Sequence, residues 1–265
     1  MTVYGTGPEL ILNACEGVLQ IGLTNDEIPL CFEEWRAPGR ATEILAPALK
    51  EICERTGIKP RDFRRIACVA GPGSFTGIRL ILTTAAALRR TSAAQLAGLN
   101  YLQALATTAS IWRGLLYPAR IRVITRARRD LVCYQEYIAY GPQIPAQSAG
   151  EIMLLSPAAA RAKFLSDPCF VCGSGLSFFP PAPDEDFGEA ILMRELNRPG
   201  FDSLRLLARH GDYFSRDIEP LYIRPCDAAE NVASLAEKRG GDGEDARAKL
   251  EACLNRDPLD PASLI

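Results

Sequence analysis

The alternation of apolar and polar positions opens with three short strand-type runs, at residues 10–12, 18–23 and 30–35. Asn13-Ala14-Cys15-Glu16-Gly17 joins the first two as a hairpin-sized connection, and Pro38-Gly39 ends the third, so the pattern predicts an antiparallel meander. The period then becomes helical. Ile44, Leu45, Ala48, Leu49, Ile52 and Cys53 recur at i, i+1, i+4, i+5, i+8 and i+9 across residues 42–56. Thr42 is placed to cap that helix, Gly57 stands where a terminating glycine belongs, and Pro47, tolerable only near the first turn, is a candidate for a bend. An apolar strand at 65–70 runs into a glycine-rich turn and a helix over 74–89; a strand at 96–99 and a helix over 100–109, with Asn100 as its cap, follow. The order is βββαβαβα.

The turn is Gly71-Pro72-Gly73-Ser74-Phe75-Thr76-Gly77-Ile78-Arg79. Its glycines supply unusual φ or close backbone approach, and Ser74 or Thr76 can cap the helix. A helix N-terminus of this kind can hold a phosphate. The familiar phosphate motifs nevertheless fail. Counting from Gly71, Thr76 stands where a P-loop has its second glycine, Ile78 rather than lysine follows Gly77, and Gly77 comes one residue late for Gly-x-Gly-x-x-Gly. A structural connection and a phosphate site both stay open. From Ile78 to Leu88 only Arg79, Thr83 and Thr84 are polar, which predicts a helix covered on two sides. It is either a central helix of a larger fold or a surface helix that another subunit covers, with Thr84 to Ala87 small enough for close approach.

Beyond residue 110 the pattern is weaker. Runs at 121–125 and 131–140 suggest a hairpin around Arg126-Ala127-Arg128-Arg129, followed by a helix at 157–165, a strand at 170–172 before Gly173-Ser174-Gly175, and a helix at 199–210. Pro180-Pro181-Ala182-Pro183 reads as a stiff surface loop. After Cys226 the chain is rich in charge, Gly and Ala; a mobile tail is expected, with one helix at 245–254.

Three antiparallel strands followed by alternating helices and parallel strands describe the ribonuclease H-like fold, the repeated unit of the actin-like sugar kinases and heat-shock ATPases. In those ATPases the first hairpin carries an aspartate and hydroxyls near the nucleotide phosphates. The block from Gly71 to Arg79 resembles the signature of the TsaB family, the smaller partner in bacterial synthesis of threonylcarbamoyl-adenosine in tRNA. Leu10-Ile11-Leu12-Asn13, Glu43-Ile44-Leu45-Ala46-Pro47, Ala127-Arg128 before Val132, and Pro220-Leu221-Tyr222-Ile223-Arg224 fall in the family's order and spacing, so the likeness covers about residues 9–225. It implies an α/β chain of actin-like ATPase type with two lobes, 1–110 and a reduced 111–225, each with a mixed five-stranded-type sheet, before the tail at 226–265.

The resemblance also implies a role. The chain would be a non-catalytic subunit that pairs with a TsaD-type homologue, which holds the metal and transfers threonylcarbamoyl to the adenosine beside the anticodon. A TsaE-type ATPase would join them, tRNA would be met indirectly, and a homodimer would form when the partner is absent. The expected interface is the helix pair 42–56 and 74–89, through Ile44, Leu45, Ala48, Leu49, Ile52, Gly77, Ile81, Thr84, Ala85 and Leu88. No cofactor is expected in the chain itself, with ATP or ADP placed at the interface with the TsaD-type subunit. Three departures from the family remove chemistry: Asn13-Ala14-Cys15 replaces Asp-Thr-Ser, Ala41 a histidine, and Arg126 an aspartate. Groups that hold a metal or activate water are thereby lost, and no catalytic residue is assigned. The alternative is a stand-alone actin-like ATPase or small-molecule kinase, for which Asn13-Ala14-Cys15 is a poor phosphate-facing set. The family's old glycoprotease label would need a His-x-x-x-His pair, and the chain has one histidine, His210.

Composition narrows the field without adding a function. The chain has 265 residues, 48% hydrophobic and 23% charged, with a net charge of −2, which makes no demand for nucleic acid. No apolar run approaches a membrane span and residues 1–8 lack a signal-peptide pattern, so the cytoplasm is the expected compartment. The nine cysteines are odd in number and most sit in apolar runs; only Cys169-Phe170-Val171-Cys172 has ligand-like spacing, too few for a structural zinc. Arg113, Arg120, Arg122, Arg126, Arg128 and Arg129 crowd a stretch with no acid before Asp130, and suit either an anionic partner or a solvated hairpin.

Overall fold

The opening meander forms as the alternation predicts: β1 (Pro8–Asn13), β2 (Val18–Asn25) and β3 (Ile28–Arg36) pair antiparallel. The computed structural model describes residues 6–128, 130–181 and 186–223, with positions 242 and 244 in addition. The chain divides into a unit of residues 1–221 and a second of 222–265; the architecture here is that of the first unit. Apart from positions 242 and 244, the expected tail at 226–265 with its helix at 245–254 lies outside the described residues, as do Arg129 of the arginine hairpin and Ala182 and Pro183 of the proline loop.

After the meander come α1 (Ala41–Thr56), β4 (Arg65–Gly71), α2 (Phe75–Ser92), β5 (Gln95–Asn100) and α3 (Tyr101–Arg113). Strands β1, β4 and β5 are parallel, so the first sheet runs β3-β2-β1-β4-β5, the mixed arrangement of the ribonuclease H-like, actin-like ATPase fold. β1 is central because its side chains are apolar on both faces. Leu10 and Leu12 enter the core under α1 and α2, while Ile11 between them enters the core shared with α3 and the second sheet.

The helix covered on both sides is α3, not α2. Nine α3 residues are buried, among them Thr107, Thr108 and Ser110, and their hydroxyls are satisfied internally: Thr108 Oγ1 reaches the Ala104 carbonyl at 2.7 Å, Ser110 Oγ reaches Gly141 O at 3.1 Å, and Thr107 accepts from Ala146 N at 3.1 Å. In α2, by contrast, Gly77, Ile78, Ile81 and Ala85 face the sheet, while Arg79, Thr83 and Ala87 are exposed. Small threonines and alanines made α2 look apolar all round; it has one buried face.

The caps sort out in the same way. Ser74, not Thr76, is the N-cap of α2 and accepts from Gly77 N at 3.3 Å. Asn100 caps α3 through Leu102 N and Gln103 N at 2.8 and 3.1 Å, and Gly57 ends α1 in the left-handed region. Thr42 does not cap α1, which begins one residue earlier with Arg40 as an N-cap that makes no side-chain cap bond.

The second sheet is built from β6 (Ala119–Arg128), β7 (Leu131–Ala139), β8 (Gln147–Ser148), β9 (Met153–Leu155), β10 (Cys169–Cys172) and β11 (Ala190–Met193). Its order is β11-β10-β6-β7-β8, with β9 also on β7, so it has six strands rather than five. α4 (Pro157–Phe164) and α5 (Phe201–Arg209) complete the unit. After α5, Phe214 makes an antiparallel bridge to Leu96 on β5, and Leu221 N donates to Ala70 O at 2.8 Å. Cys169 and Cys172 lie three apart on β10 and so face opposite ways: Cys169 joins the core with Phe164 and Val171, Cys172 the core with α3. They do not form a ligand pair.

Candidate partner groove and the hairpin cleft

Helix α1 crosses the face of the first sheet beside α2, and each helix buries one stripe. Of the ten residues expected at a partner surface, Leu45, Ala48, Ile52, Gly77, Ile81 and Ala85 are buried within the chain itself. They belong to its own core and are not available to a partner. The reason is physical: the strongest apolar periodicity of a helix marks the stripe that packs on its own sheet. Ile44, Leu49, Thr84 and Leu88 remain half-exposed.

Between the two helices lies an open groove of about 860 Å³. Leu49 and Cys53 of α1, Leu80, Ala87 and Leu88 of α2, and Phe63 line it; Lys50, Glu54 and Lys59 supply charge. Sequence reasoning missed Leu80; it marked Ala87 for close approach without placing it among the ten interface residues. The signal for both was available, because Leu80, Thr84, Ala87 and Thr91 follow the i, i+4, i+7, i+11 row one step round from the buried Ile81 and Ala85.

The signature turn leads into this helix and packs against the β1–β2 hairpin. A Cβ on Gly77 would collide with the Ala14 carbonyl oxygen, and one on Gly73 would lie 2.8 Å from the Cys15 side chain. The glycines therefore serve backbone contact. Gly71 takes φ of 126°, Pro72 follows a cis bond, and Ser74 and Thr76 are exposed. The Arg79 guanidinium stacks 4.0 Å from the Phe75 ring centroid.

In the hairpin, polar groups point into the protein. Asn13 is fully buried; its amide donates to Gln20 Oε1 at 2.7 Å and its oxygen accepts from Cys15 N at 3.0 Å. Gln20 continues the chain to Glu34 at 2.7 Å and the Pro199 carbonyl at 2.8 Å, and Arg198 meets Glu34 at 2.6 Å. Burial, then the adjacent Glu16 carboxylate, push the Cys15 thiol well above its usual value, which keeps it protonated and a poor nucleophile.

Glu16 was not singled out from sequence. It holds φ of 52°, and its carboxylate accepts from Ser174 Oγ at 2.6 Å and Tyr101 OH at 3.0 Å. Burial raises its pKa above the usual 4.5, against the lowering effect of those hydrogen bonds and of Arg126. The carboxylate thus ties the hairpin to the turn after β10. It stands at a cleft of about 650 Å³ edged by Arg36, Arg126, Arg194 and Arg198.

Arg120 and Arg122 of the crowded stretch lie two apart on β6 and turn to one carboxylate, that of Asp167. Arg122 is only 2% exposed and is held by the Lys163 carbonyl, Asp167 at 3.0 Å and Glu136 at 3.8 Å. Arg120 also meets Asp167 at 3.0 Å, and Arg113 lies 5.3 Å from the Phe170 ring centroid. Arg122 is therefore a buried, paired cation, which neither reading of the stretch anticipated. Among the described residues no helix is long and apolar enough to cross a membrane.

Comparison with known proteins agrees with this architecture. Residues 37–160 match the family described as TsaD: tRNA N6-adenosine threonylcarbamoyltransferase. The tRNA N6-adenosine threonylcarbamoyltransferase of Rhizobium meliloti (strain 1021) is 29% identical over 105 residues, which are 38% of this chain and 29% of the relative. The match spans less than a third of that curated relative. Among solved structures, YeaZ (TsaB) from Pseudomonas aeruginosa has a TM-score of 0.67 at 21% identity, covering 82% of this chain and 100% of its own. A Pseudomonas aeruginosa protein with similarity to peptidase YeaZ gives 0.68 at the same identity and coverage. The chain has the fold of the YeaZ structures, and the segment similar to the transferase family, residues 37–160, contains both groove helices and the signature turn.

Proposed function

We propose that this chain is a non-catalytic TsaB-like subunit that binds and supports a TsaD-type transferase in the N6-threonylcarbamoyladenosine modification of tRNA beside the anticodon. The observation that carries the reading is the apolar groove between α1 and α2, which the chain's own described elements leave open. Two related helix pairs can pack across such a groove as a four-helix interface, with Leu49, Leu80 and Leu88 as anchors and Ala87 allowing close approach. The larger homologue supplies the metal and the transfer chemistry, and a TsaE-type ATPase joins the pair. ATP or ADP sits at the interface, tRNA is reached through the larger subunit, and the same groove closes on a second copy when the partner is absent. A cytoplasmic setting follows from that role.

Ala87→Arg should leave the chain folded and abolish its co-purification with the TsaD-type protein of its host. Undiminished co-purification by a folded variant overturns the reading. The competing reading, a stand-alone ATPase or kinase, needs phosphate-facing hairpin groups, whereas the Asn13 amide is spent on Gln20 and Cys15. ATP turnover by the isolated chain, lost on changing Asn13, would favour it.

A further inference from the structure

The stretch after α5, residues 211–221, forms no strand of either sheet, and nothing in the proposed partnership gives it a task. It runs back along the outer edge of the first sheet. Phe214 and Leu96 exchange two backbone hydrogen bonds, Leu96 N to Phe214 O at 2.8 Å and Phe214 N to Leu96 O at 2.9 Å. Ile218 then packs on the core under α1 and α2, and Gly98 of β5 leaves room for it, since a Cβ there would lie 3.0 Å from Ile218 Cγ2. Near these anchors the stretch borders a cavity of about 340 Å³ edged by Asp212, Arg216 and Glu219. It is therefore held at a few points and not along its length.

Two of those points are the ends of α2. Toward its C-terminus the Arg89 guanidinium donates to Ser215 O at 2.7 Å and to Asp217 Oδ1 at 2.8 Å, and Arg90 stands 3.9 Å from the same carboxylate. Before its N-terminus Leu221 N donates to Ala70 O at 2.8 Å. The Leu221 carbonyl oxygen comes so close to the signature turn that a Cβ on Gly71 would lie 2.6 Å from it. Between the two attachments lie Leu80, Thr84, Ala87 and Leu88, the α2 row that lines the groove.

We infer that residues 211–221 are a clamp on α2, latched by Arg89 and Asp217 at one end and by Leu221 and Ala70 at the other, which sets the position of the helix and so the width of the groove. The latch is a partly exposed ion pair, which shifts an equilibrium by at most about fivefold, so the clamp opens locally while the rest of the unit stays folded. Its effect on a partner rests on the function proposed above; the clamp itself does not.

Hydrogen exchange on the full chain tests the clamp. The amides of Phe214, Leu221 and the last turn of α2 should exchange through one shared opening, faster than those of the central strand β1 and with little dependence on urea. Asp217→Asn should speed that opening about threefold to fivefold. Separate openings for strap and helix, a strap that exchanges only together with β1, or unchanged rates in the variant would overturn the clamp. Binding to the TsaD-type protein of the host supplies a readout that stability alone does not move, because Asp217 lies outside the groove and its variant stays folded. Asp217→Asn should weaken that binding about twofold to fivefold. Parent-like affinity in a variant whose α2 exchanges faster would overturn the link between clamp and groove. Failure of the parent itself to bind would count against the partnership and leave the exchange result to decide the clamp.

Discussion

The helical groove and the hairpin cleft lie in the same chain but solve opposite problems. In the groove the apolar lining is mainly leucine and alanine with Phe63, and its worth to a partner scales with the area covered. Around the hairpin, Asn13, Gln20, Glu34 and Arg198 form a continuous hydrogen-bonded chain that consumes its own polar groups. Where an ATPase of this fold points its first hairpin at phosphates, this chain points it at its own backbone and side chains. The difference teaches that a buried polar hairpin can act as a structural tie. Asn13, Gln20, Glu34 and Arg198 hold the hairpin, β3 and the loop before α5 together, while the groove is a surface that needs no polar atom in a fixed place.

The sharpest way to test that division is to place the same charge on either side of one helix. Ala85 is 0% exposed and packs in the core under α1 and α2, whereas Ala87, two residues on, is exposed in the groove. Ala85→Arg should cost at least about 4 kcal/mol, through overpacking and an unpaired buried charge. Ala87→Arg should stay within about 0.5 kcal/mol of the parent. Urea unfolding midpoints of the two variants measure this directly. Equal destabilisation would mean that the groove face is closed in the isolated chain.

That pair also shows how far the sequence could be read. The meander, the alternating α/β order and the glycine turn were legible because each has a local cause: alternation on β1, helical spacing on α1, and glycines before α2. The facing of α2 was not, because Thr83, Thr84 and Ala87 are small and mildly polar and give no contrast with Ala85. The burial of α3 was hidden for the same reason, since Thr107, Thr108 and Ser110 read as polar until their hydroxyls find Ala146, Ala104 and Gly141. Strands β8 and β9 are two and three residues long and leave no period to detect. In the hairpin, the departures at residues 13–15 drew attention away from Glu16, whose role depends on Ser174, 158 residues further along the chain.

A smaller effect separates the signature turn from an ordinary helix start. On an exposed helix, replacing glycine by alanine is stabilising by roughly 0.5–1 kcal/mol. At Gly77 the added methyl would meet the Ala14 carbonyl oxygen, a backbone atom fixed by the hairpin. Gly77→Ala should therefore reverse the sign and destabilise by about 1–3 kcal/mol, read from the shift in thermal midpoint. Stabilisation instead would show that the turn's glycines are not explained by hairpin contact.

The finest distinction concerns the carboxylate that remains at the cleft. Burial raises the Glu16 pKa above 4.5, so the folded chain binds that proton more tightly than the unfolded chain does. Its contribution to stability is fully present below the unfolded value and declines as pH rises through the raised folded one. Glu16→Gln keeps the shape and the hydrogen-bonding capacity toward Tyr101 and Ser174 but does not titrate. The stability of the variant relative to the parent should thus be flat below pH 4.5, rise across the window above it, and level off once Glu16 is ionised in the fold. Urea midpoints at a series of pH values give the difference, in which Glu9, also raised by burial, cancels. A difference that falls with pH would mean that Arg126 and the two hydroxyls outweigh burial, making the carboxylate a net electrostatic anchor of the hairpin instead of a group the fold holds at a cost.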